Sequence, residues 1–205
     1  MAGELEMKLL LIGPQGSGKG TQGKILQDKY GWQNISSGDL LRAEKAKDPS
    51  FEKKYGLDKG NLVPDNVIAE LIEKRIKEDD CKKGYILDGF PRRVSQAKIL
   101  DVLVNIDYAI LIDVPDELCV ERLSARRMGE DGTIYGINNP VPKGVEVYQR
   151  PDDYPEAIQH RLNQYHEETE PMLEYYKKQE KLIQIDGTGT PQEVFERVKK
   201  ELKLE

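Results

Sequence analysis

The sequence predicts an α/β protein whose core is a doubly wound parallel sheet of about five strands with helices on both faces. Short, nearly continuous apolar runs alternate with longer amphipathic segments, which is the pattern of strands buried on both faces and of the helices that cover them. A glycine-rich loop follows the first apolar run directly. Because ligands of such sheets bind beyond the carboxyl ends of the strands, we expect the functional site at that edge.

The clearest predicted strands are four apolar runs that end in turn residues, at residues 7–12, 84–88, 108–113 and 181–186. A further strand is expected just before Ser36. Apolar side chains recur with helical spacing over residues 67–76 and 194–202. The last helix also has a start signal, because Thr190 stands in the cap position with Glu193 three residues later.

Composition limits the classes of partner. The chain has 205 residues with 31 Lys and Arg against 37 Asp and Glu, a net charge of −6, which excludes a basic nucleic-acid-binding domain. No apolar run approaches the roughly 18 residues that a membrane span needs, and the first residues are acidic, unlike a secretory signal. We therefore expect a cytoplasmic protein of one large domain, without nucleic-acid or membrane partners. Cys81 and Cys119 are expected to be buried thiols.

Residues 129–149 do not fit the alternating pattern. They contain four glycines and two prolines among polar residues without a sustained period. A segment of this length inside a compact domain is typically a lid, a binding loop or disorder, and we interpret it as a candidate lid.

Residues 13–21 form the glycine-rich loop between the first strand and a helical pattern. Gly13, Gly18 and Lys19 match the phosphate-binding pattern G-x-x-x-x-G-K-[ST], whereas Gly20 replaces its Ser or Thr and Thr21 follows one place later. Glycines let backbone N–H groups approach phosphate oxygens, and the lysine adds a positive charge. The loop therefore predicts nucleoside triphosphate binding, which ATPases, GTPases and small-molecule kinases share.

Asp88 ends the apolar run at residues 84–88, where P-loop folds place the carboxylate that holds the magnesium shell through water. The alternative interpretation of Asp88 is a helix cap or turn residue. The Asn-Lys-x-Asp motif that reads guanine in GTPases is absent from the sequence, which disfavours that class.

Four segments occur in the order found in adenylate kinases, and together they resemble that family over about residues 7–200. They are the glycine loop continuing through residues 19–22, the segment from Ser37 to Arg42, residues 60–65 and residues 88–92. The resemblance implies direct transfer of the terminal phosphoryl group of Mg·ATP to AMP, which gives two ADP. It further implies Mg²⁺ as the cofactor and a monomeric protein.

The resemblance also implies residue roles. The donor ATP would contact Gly16, Ser17, Gly18, Lys19, Gly20, Thr21, Arg122, Arg126, Ile134, Tyr135, Gly189 and Thr190. The acceptor AMP would contact Ser37, Arg42, Asn61, Leu62, Val63, Gly89, Phe90, Pro91, Arg92, Gln96, Arg150 and Arg161, with the Gln96 amide pairing with adenine. The catalytic set would be Lys19, Arg92, Arg126, Arg150 and Arg161, and Asp152 and Asp153 would belong to the lid.

The resemblance divides the chain into three parts. The core consists of residues 1–36, 66–126 and 154–205. Residues 37–65 form the monophosphate-binding helical insertion, and residues 127–153 form the lid. The lid contains no cysteine or histidine, so we expect no structural zinc. Ser37 replaces a common threonine and the segment at Gly189 is one residue longer than usual, which leaves base selectivity open. The alternatives are a kinase for GMP, UMP or CMP and a nucleotide-binding protein without turnover. His160 and His166 are interpreted as ordinary helix positions.

Overall fold

A computed structural model of the chain describes residues 6–55 and 63–204. Its strands are β1 Met7–Ile12, β2 Gln33–Ser36, β3 Gly84–Asp88, β4 Tyr108–Asp113, β5 Arg127–Gly129, β6 Ile134–Tyr135, β7 Val147–Tyr148 and β8 Leu182–Asp186. Its α-helices are α1 Lys19–Tyr30, α2 Ser37–Lys47, α3 Ser50–Tyr55, α4 Asp65–Ile76, α5 Val94–Leu103, α6 Asp116–Ala125, α7 Pro155–Gln164, α8 Pro171–Lys178 and α9 Pro191–Glu201. Short 3₁₀ turns span Asp79–Cys81 and Pro151–Asp153, and a π-helical turn spans Tyr165–Thr169.

Five strands form one parallel sheet in the order β2-β3-β1-β4-β8. This confirms the predicted fold class, with the last strand beginning at Leu182 rather than at Lys181. The chain runs to one side of β1 and then to the other, so the crevice at the carboxyl end of β1 lies at a topological switch point.

The apolar runs become strands because both faces of the sheet are covered. Leu9 and Leu11 of β1 belong to one buried cluster, which includes Phe195 of α9. Leu10, next to them in sequence, belongs to a second cluster with Ile72 of α4. Alternate residues of a strand point to opposite faces, so a strand between two helical layers is apolar at nearly every position.

The last helix begins where its start signal predicts. Thr190 is its N-cap; the Thr190 Oγ1 accepts from the Glu193 N–H at 3.3 Å, and the Glu193 carboxylate accepts from the Thr190 N–H at 2.7 Å. These two bonds form a capping box, which satisfies N–H groups that a helix start leaves without partners.

Residues 127–153, which we expect to form the lid, contain regular structure that the sequence does not predict. Strands β5, β6 and β7 form a small antiparallel sheet in the order β6-β5-β7. Each of these strands has only two or three residues, too few to produce a recognisable alternation of apolar and polar side chains.

Cys81 and Cys119 are buried free thiols, as predicted. Within residues 6–55 and 63–204, every helix is too short or too polar to cross a membrane.

Candidate active site

The carboxyl ends of the central strands lie side by side. In the register of the sheet Leu11 pairs with Asp88, and Asp88 pairs with Ser36 at the end of β2. The glycine loop leaves β1 at this edge, the segment from Gly89 leaves β3, and α2 begins at Ser37. Segments far apart in sequence therefore meet at one crevice, as expected from the parallel sheet.

The glycine loop requires its glycines. Gly16 and Gly18 have φ angles of 90° and 97°, which other residues rarely adopt. A Cβ atom on Gly16 would also lie 2.7 Å from the Cys119 carbonyl oxygen of α6. The loop thus packs its backbone directly against α6, and its N–H groups at the start of α1 are available to an anion.

Lys19 lies folded over the glycine loop. Its ammonium group donates to the carbonyl oxygens of Gly13 at 2.6 Å and Pro14 at 2.8 Å. Burial lowers the pKa of Lys19 to about 8, although the negative charge of Asp88 acts in the opposite direction. A cation withdrawn from water in this way interacts strongly with an anion that enters the loop.

Asp88 faces the glycine loop from the end of β3. Burial raises the pKa of its carboxyl group, and the positive charges of Lys19 and Arg92 oppose that shift. A Cβ atom added at Gly20 would lie 3.5 Å from Asp88 Oδ2. Since Gly20 has no side chain, none crowds the carboxylate from this direction, and a carboxylate beside a phosphate loop suits a hydrated Mg²⁺ that is shared with a phosphate chain.

Within the described ranges, no group of three or more His, Cys, Asp or Glu side chains could hold a metal ion. Mg²⁺ at a phosphate site commonly takes one or two carboxylates, with phosphate oxygens and water completing the shell. The donor set around Asp88 therefore suits a metal that arrives with a nucleotide.

A cavity of about 360 Å³ opens on the β2–β3 side of the crevice. Seven residues expected at the acceptor nucleotide line it: Ser37, Arg42, Val63, Gly89, Phe90, Arg92 and Gln96. Pro91, which follows Phe90 through a cis peptide bond, is buried and does not line the cavity. Asn61 and Leu62 lie outside the described residues.

The cavity is also lined by two cationic side chains that the sequence analysis does not assign to the site, Lys45 and Arg93. Lys45 follows Arg42 by three residues on α2, so the two side chains share a face of the helix. Arg93 directly follows Arg92. The spacing of three residues from Arg42 could have indicated that Lys45 lies at the site. Cations on exposed helix faces are so common, however, that this spacing alone does not predict a site residue.

Ser37, Gly89 and Arg92 lie next to one another in the lining of the cavity. The Arg92 Nε donates to the Gly89 carbonyl at 2.8 Å, and a Cβ atom on Gly89 would lie 2.7 Å from Ser37 Oγ. Arg42 reaches the same cavity from α2, where its guanidinium pairs with Asp39 at 2.5 Å. Two guanidinium groups, which can each grip a phosphate with paired N–H donors, thus face one small pocket.

Arg122 ties the glycine loop to the segment before α9. Its NH1 group donates to the Ser17 carbonyl at 3.2 Å, and its NH2 group donates to the Gly187 carbonyl at 3.1 Å and the Gly189 carbonyl at 3.4 Å. Arg122, the glycine loop and Gly189, all expected on the ATP side, therefore lie next to one another, even though Gly189 is far from the loop in sequence.

The arginines on either side of the small sheet are held by two aspartates. Arg126 forms a two-point ion pair with Asp153. Arg161 lies 3.0 Å from the Asp152 carboxylate and 3.8 Å from that of Asp153. Burial lowers the pKa of Arg161, and the two aspartates oppose this shift. The four side chains form one cluster at the base of the small sheet.

The other lid residues of the expected site differ in exposure. Tyr135 is buried, whereas its neighbour Ile134 is half exposed, because successive residues of a strand point to opposite faces. Arg150 is half-buried and begins the turn that contains Asp153.

A larger cavity of about 570 Å³ borders the glycine loop at Pro14, and its lining includes His166 and residues of β4, α8 and β8. It contains none of the expected site residues.

Comparison with known proteins agrees with this geometry. The sequence model of the family described as adenylate kinase matches residues 11–181. An adenylate kinase of Methanosarcina barkeri is 44% identical over 96% of this chain and 99% of its own length. Adenylate kinases of Methanosarcina mazei and Clostridium tetani are 45% and 43% identical, each over 94% of this chain and over 97% and 96% of their own lengths.

Proposed function

Given that the chain belongs to the adenylate kinase family, and is thus an enzyme that transfers the terminal phosphoryl group of ATP to AMP, we propose how its residues divide that work. The observation that carries the proposal is the crevice at the switch point of the sheet. A phosphate loop with a half-buried lysine lies on one side of it. A cavity lined by arginines lies on the other.

The glycine loop, residues 16–21, binds the phosphates of ATP. Its backbone N–H groups point toward an anion at the start of α1, and Lys19 follows the transferred phosphoryl group. Arg122, Gly189 and Thr190 form the wall for the donor base, since Arg122 already joins that segment to the loop. Ile134 and Tyr135 contribute from the lid.

The 360 Å³ cavity binds AMP. Arg42 and Arg92 hold its phosphate, and Gln96 pairs with its base; all three line the cavity. Ser37, Gly89, Phe90 and Val63 form the rest of the lined surface, with Pro91 behind it and with Asn61 and Leu62 contributing from the residues that precede Val63.

Adenylate kinases use ATP as its magnesium complex, and Asp88 would hold the water shell of that Mg²⁺, which neutralises charge on the phosphates when it is bound. The half-buried carboxylate and the absence of a side chain at Gly20 beside it support this role. We propose no structural zinc in the lid.

Transfer is direct and in line, and the protein contributes position and charge. Negative charge spreads over the equatorial oxygens of the moving phosphoryl group, so Lys19 and Arg92 stabilise that state more than the ground state. Arg126, Arg150 and Arg161 join them when residues 127–153 close as a lid over the core of residues 1–36, 66–126 and 154–205. Residues 37–65 form the monophosphate-binding insertion. Closure excludes the water that would otherwise hydrolyse ATP.

We further propose a monomeric, cytoplasmic enzyme. Both nucleotide sites are formed within one chain, and the substrates are small nucleotides that the cytoplasm supplies. Light scattering after size-exclusion chromatography tests the monomer.

The test of the proposed function is a panel of phosphoryl transfer from each nucleoside triphosphate to each nucleoside monophosphate with Mg²⁺. We expect ATP and AMP to be the preferred pair and diadenosine pentaphosphate, which spans both sites, to inhibit competitively against each. Preference for GMP, UMP or CMP would overturn the assignment of the acceptor base. Failure of the bisubstrate compound to bind would overturn the two-site arrangement.

A further inference from the structure

The side-chain amide of Gln96 is held at both ends by the protein. Its Oε1 accepts a hydrogen bond from the Arg92 backbone N–H at 2.7 Å, and its Nε2 donates to Asp65 Oδ1 at 2.8 Å. Gln96 is buried, with 5% of its surface exposed. Little of the amide is open to water, so the two protein contacts decide which way it faces.

Only one orientation of this amide satisfies both neighbours. A backbone N–H can only donate, and a carboxylate can only accept. If the amide of Gln96 were flipped, its NH₂ group would face the Arg92 N–H and its oxygen would face the oxygen of Asp65. Both contacts would then be repulsive, so the carboxylate of Asp65 and the Arg92 N–H select the same orientation.

Asp65 is itself held in place. It is the first residue of α4, and its second oxygen accepts from the Ser95 hydroxyl at 2.8 Å. Arg93 Nε lies 3.6 Å from Asp65 Oδ1. The side chain of Asp65 is 27% exposed and does not line the acceptor cavity, whereas Gln96 does. Asp65 can thus act on a ligand only through the cavity-lining side chains beside it, and of these Gln96 is the one within hydrogen-bond distance.

We propose that Asp65 is a positioning residue that fixes the Gln96 amide and thereby sets the preference of the enzyme for adenine over 6-oxopurine bases in the acceptor. The inference rests on the proposed role of Gln96. After Asp65 and Arg92 have each taken one hydrogen bond, the amide keeps one N–H and one oxygen lone pair for a ligand.

The remaining donor and acceptor match one class of base. Adenine presents an acceptor at N1 beside a donor at its 6-amino group, whereas hypoxanthine and guanine present a donor at N1 beside an acceptor at O6. The two classes need opposite orientations of the same amide. An amide that is fixed in one orientation discriminates between adenine and 6-oxopurine bases, whereas an amide that rotates freely binds both.

The experiment measures kcat and KM for AMP and for inosine monophosphate, which differs from AMP at this edge alone. The variants are Asp65→Ala, Asp65→Asn, Ser95→Ala, Gln96→Ala and the double variant Asp65→Ala with Gln96→Ala. For Asp65→Ala we expect kcat/KM for AMP to fall about tenfold through a higher KM for AMP, the loss typical of one hydrogen bond to a charged group. The KM for ATP is expected to change by no more than about twofold. The ratio of kcat/KM for AMP to kcat/KM for inosine monophosphate is expected to decrease.

Two variants serve as matched controls. In Asp65→Asn the amide oxygen still accepts from Gln96 while its NH₂ group donates to the Ser95 hydroxyl, so the preference for AMP is rescued. Ser95→Ala removes the other hydrogen bond of Asp65 and leaves the contact with Gln96, so it keeps the preference too. Thermal unfolding reports the folding of each variant; if Asp65→Ala does not fold, Asp65→Ser makes the same test with a residue suited to a helix start.

The double variant separates positioning from a general structural role. We expect it to match Gln96→Ala alone, because Asp65 has nothing left to orient. The inference is overturned if Asp65→Ala leaves the ratio of kcat/KM for AMP to that for inosine monophosphate unchanged. It is also overturned if Asp65→Ala lowers kcat/KM for AMP equally in the presence and absence of the Gln96 side chain. In both cases Gln96 keeps its assigned role. If Gln96→Ala itself leaves the base ratio unchanged, the proposed role of Gln96 is wrong and the inference falls with it.

Discussion

Arg126 and Asp153 are joined by two hydrogen bonds, Nε to Oδ2 at 2.7 Å and NH2 to Oδ1 at 2.5 Å. Arg126 follows the last residue of α6, and Asp153 ends the turn before α7. The pair therefore connects the two ends of the small antiparallel sheet. The Asp153 side chain has no exposed surface, which makes this contact the anchor of the proposed lid.

Asp153→Ala is expected to lower the free energy of unfolding by about 3 kcal/mol, because it leaves the Arg126 guanidinium partly buried without its partner. Urea denaturation measures the change. Asp152→Ala is the matched control: Asp152 is 48% exposed and pairs with Arg161, so its loss is expected to stay below about 1 kcal/mol. Equal losses from the two variants would show that burial of the Arg126–Asp153 pair does not matter.

Lys19→Met is expected to raise the activation barrier by about 3 kcal/mol or more, since the ammonium group stabilises charge that develops on the transferred phosphoryl group. Turnover at saturating ATP and AMP measures it. Lys24→Met on the same helix removes an exposed lysine that pairs with Asp28, and it is expected to change turnover by no more than about twofold. A loss below tenfold in Lys19→Met would remove Lys19 from the catalytic set.

His166 is expected to make stability depend on pH. Hydrogen bonds to Glu170 at 2.8 Å and Asp116 at 2.9 Å raise its pKa. A raised folded-state pKa stabilises the protein fully below the ordinary histidine pKa of about 6.5, and this contribution disappears as the pH rises through the folded-state value. His166→Gln should therefore lower stability at pH 5.5 by less than about 1 kcal/mol, because these groups are exposed, and much less at pH 9.

Urea denaturation at the two pH values measures this difference for His166→Gln. His160→Gln is the control, since His160 is exposed on the preceding helix. The interpretation of His166 as an ordinary helix position omits its two ion pairs, because Asp116 lies 50 residues away in sequence. A loss of stability in His166→Gln that is the same at both pH values would contradict the charge mechanism.

Thr190→Ala is expected to lower the free energy of unfolding by about 1 kcal/mol, because it removes the side-chain acceptor at the start of α9. Thr190→Ser keeps a hydroxyl at the same position and should retain most of the stability. Thermal or chemical unfolding of both variants measures the effect. If serine were as destabilising as alanine, the capping hydroxyl would not be the cause.

Removal of residues 132–145 is expected to raise the ratio of ATP hydrolysis to phosphoryl transfer, because a shortened lid cannot exclude water from the phosphates. Phosphate release and ADP formation are measured in parallel. Lys143→Ala, an exposed substitution inside the same segment, is the control and should leave the ratio unchanged. Lost transfer with unchanged hydrolysis would count against the lid as a water barrier.

The features that could be predicted from the sequence are those that depend on residues adjacent to one another in the chain. The apolar runs at residues 7–12, 84–88 and 108–113 coincide with strands, because burial on both faces demands apolar side chains at nearly every position. The cap at Thr190 also depends only on its near neighbours. The phosphate loop was recognisable since its glycines and Lys19 act as one local unit.

Contacts across the fold could not be predicted in this way. Gln96 meets Asp65 across 31 residues, and Arg126 meets Asp153 across 27. Each side chain alone is an ordinary polar residue in a sequence that is 33% charged. The paths of the chain between the sheet strands decide which of these groups become neighbours.

The amino-acid sequence by itself determined the alternation of strands and helices, the phosphate loop and the family to which the chain is similar, because these depend on local side-chain patterns. Only the tertiary structure decided that Asp65 contacts Gln96 and that Asp153 pairs with Arg126. A hydrogen bond needs its two groups within about 3 Å, and folding alone brings residues so distant in sequence that close.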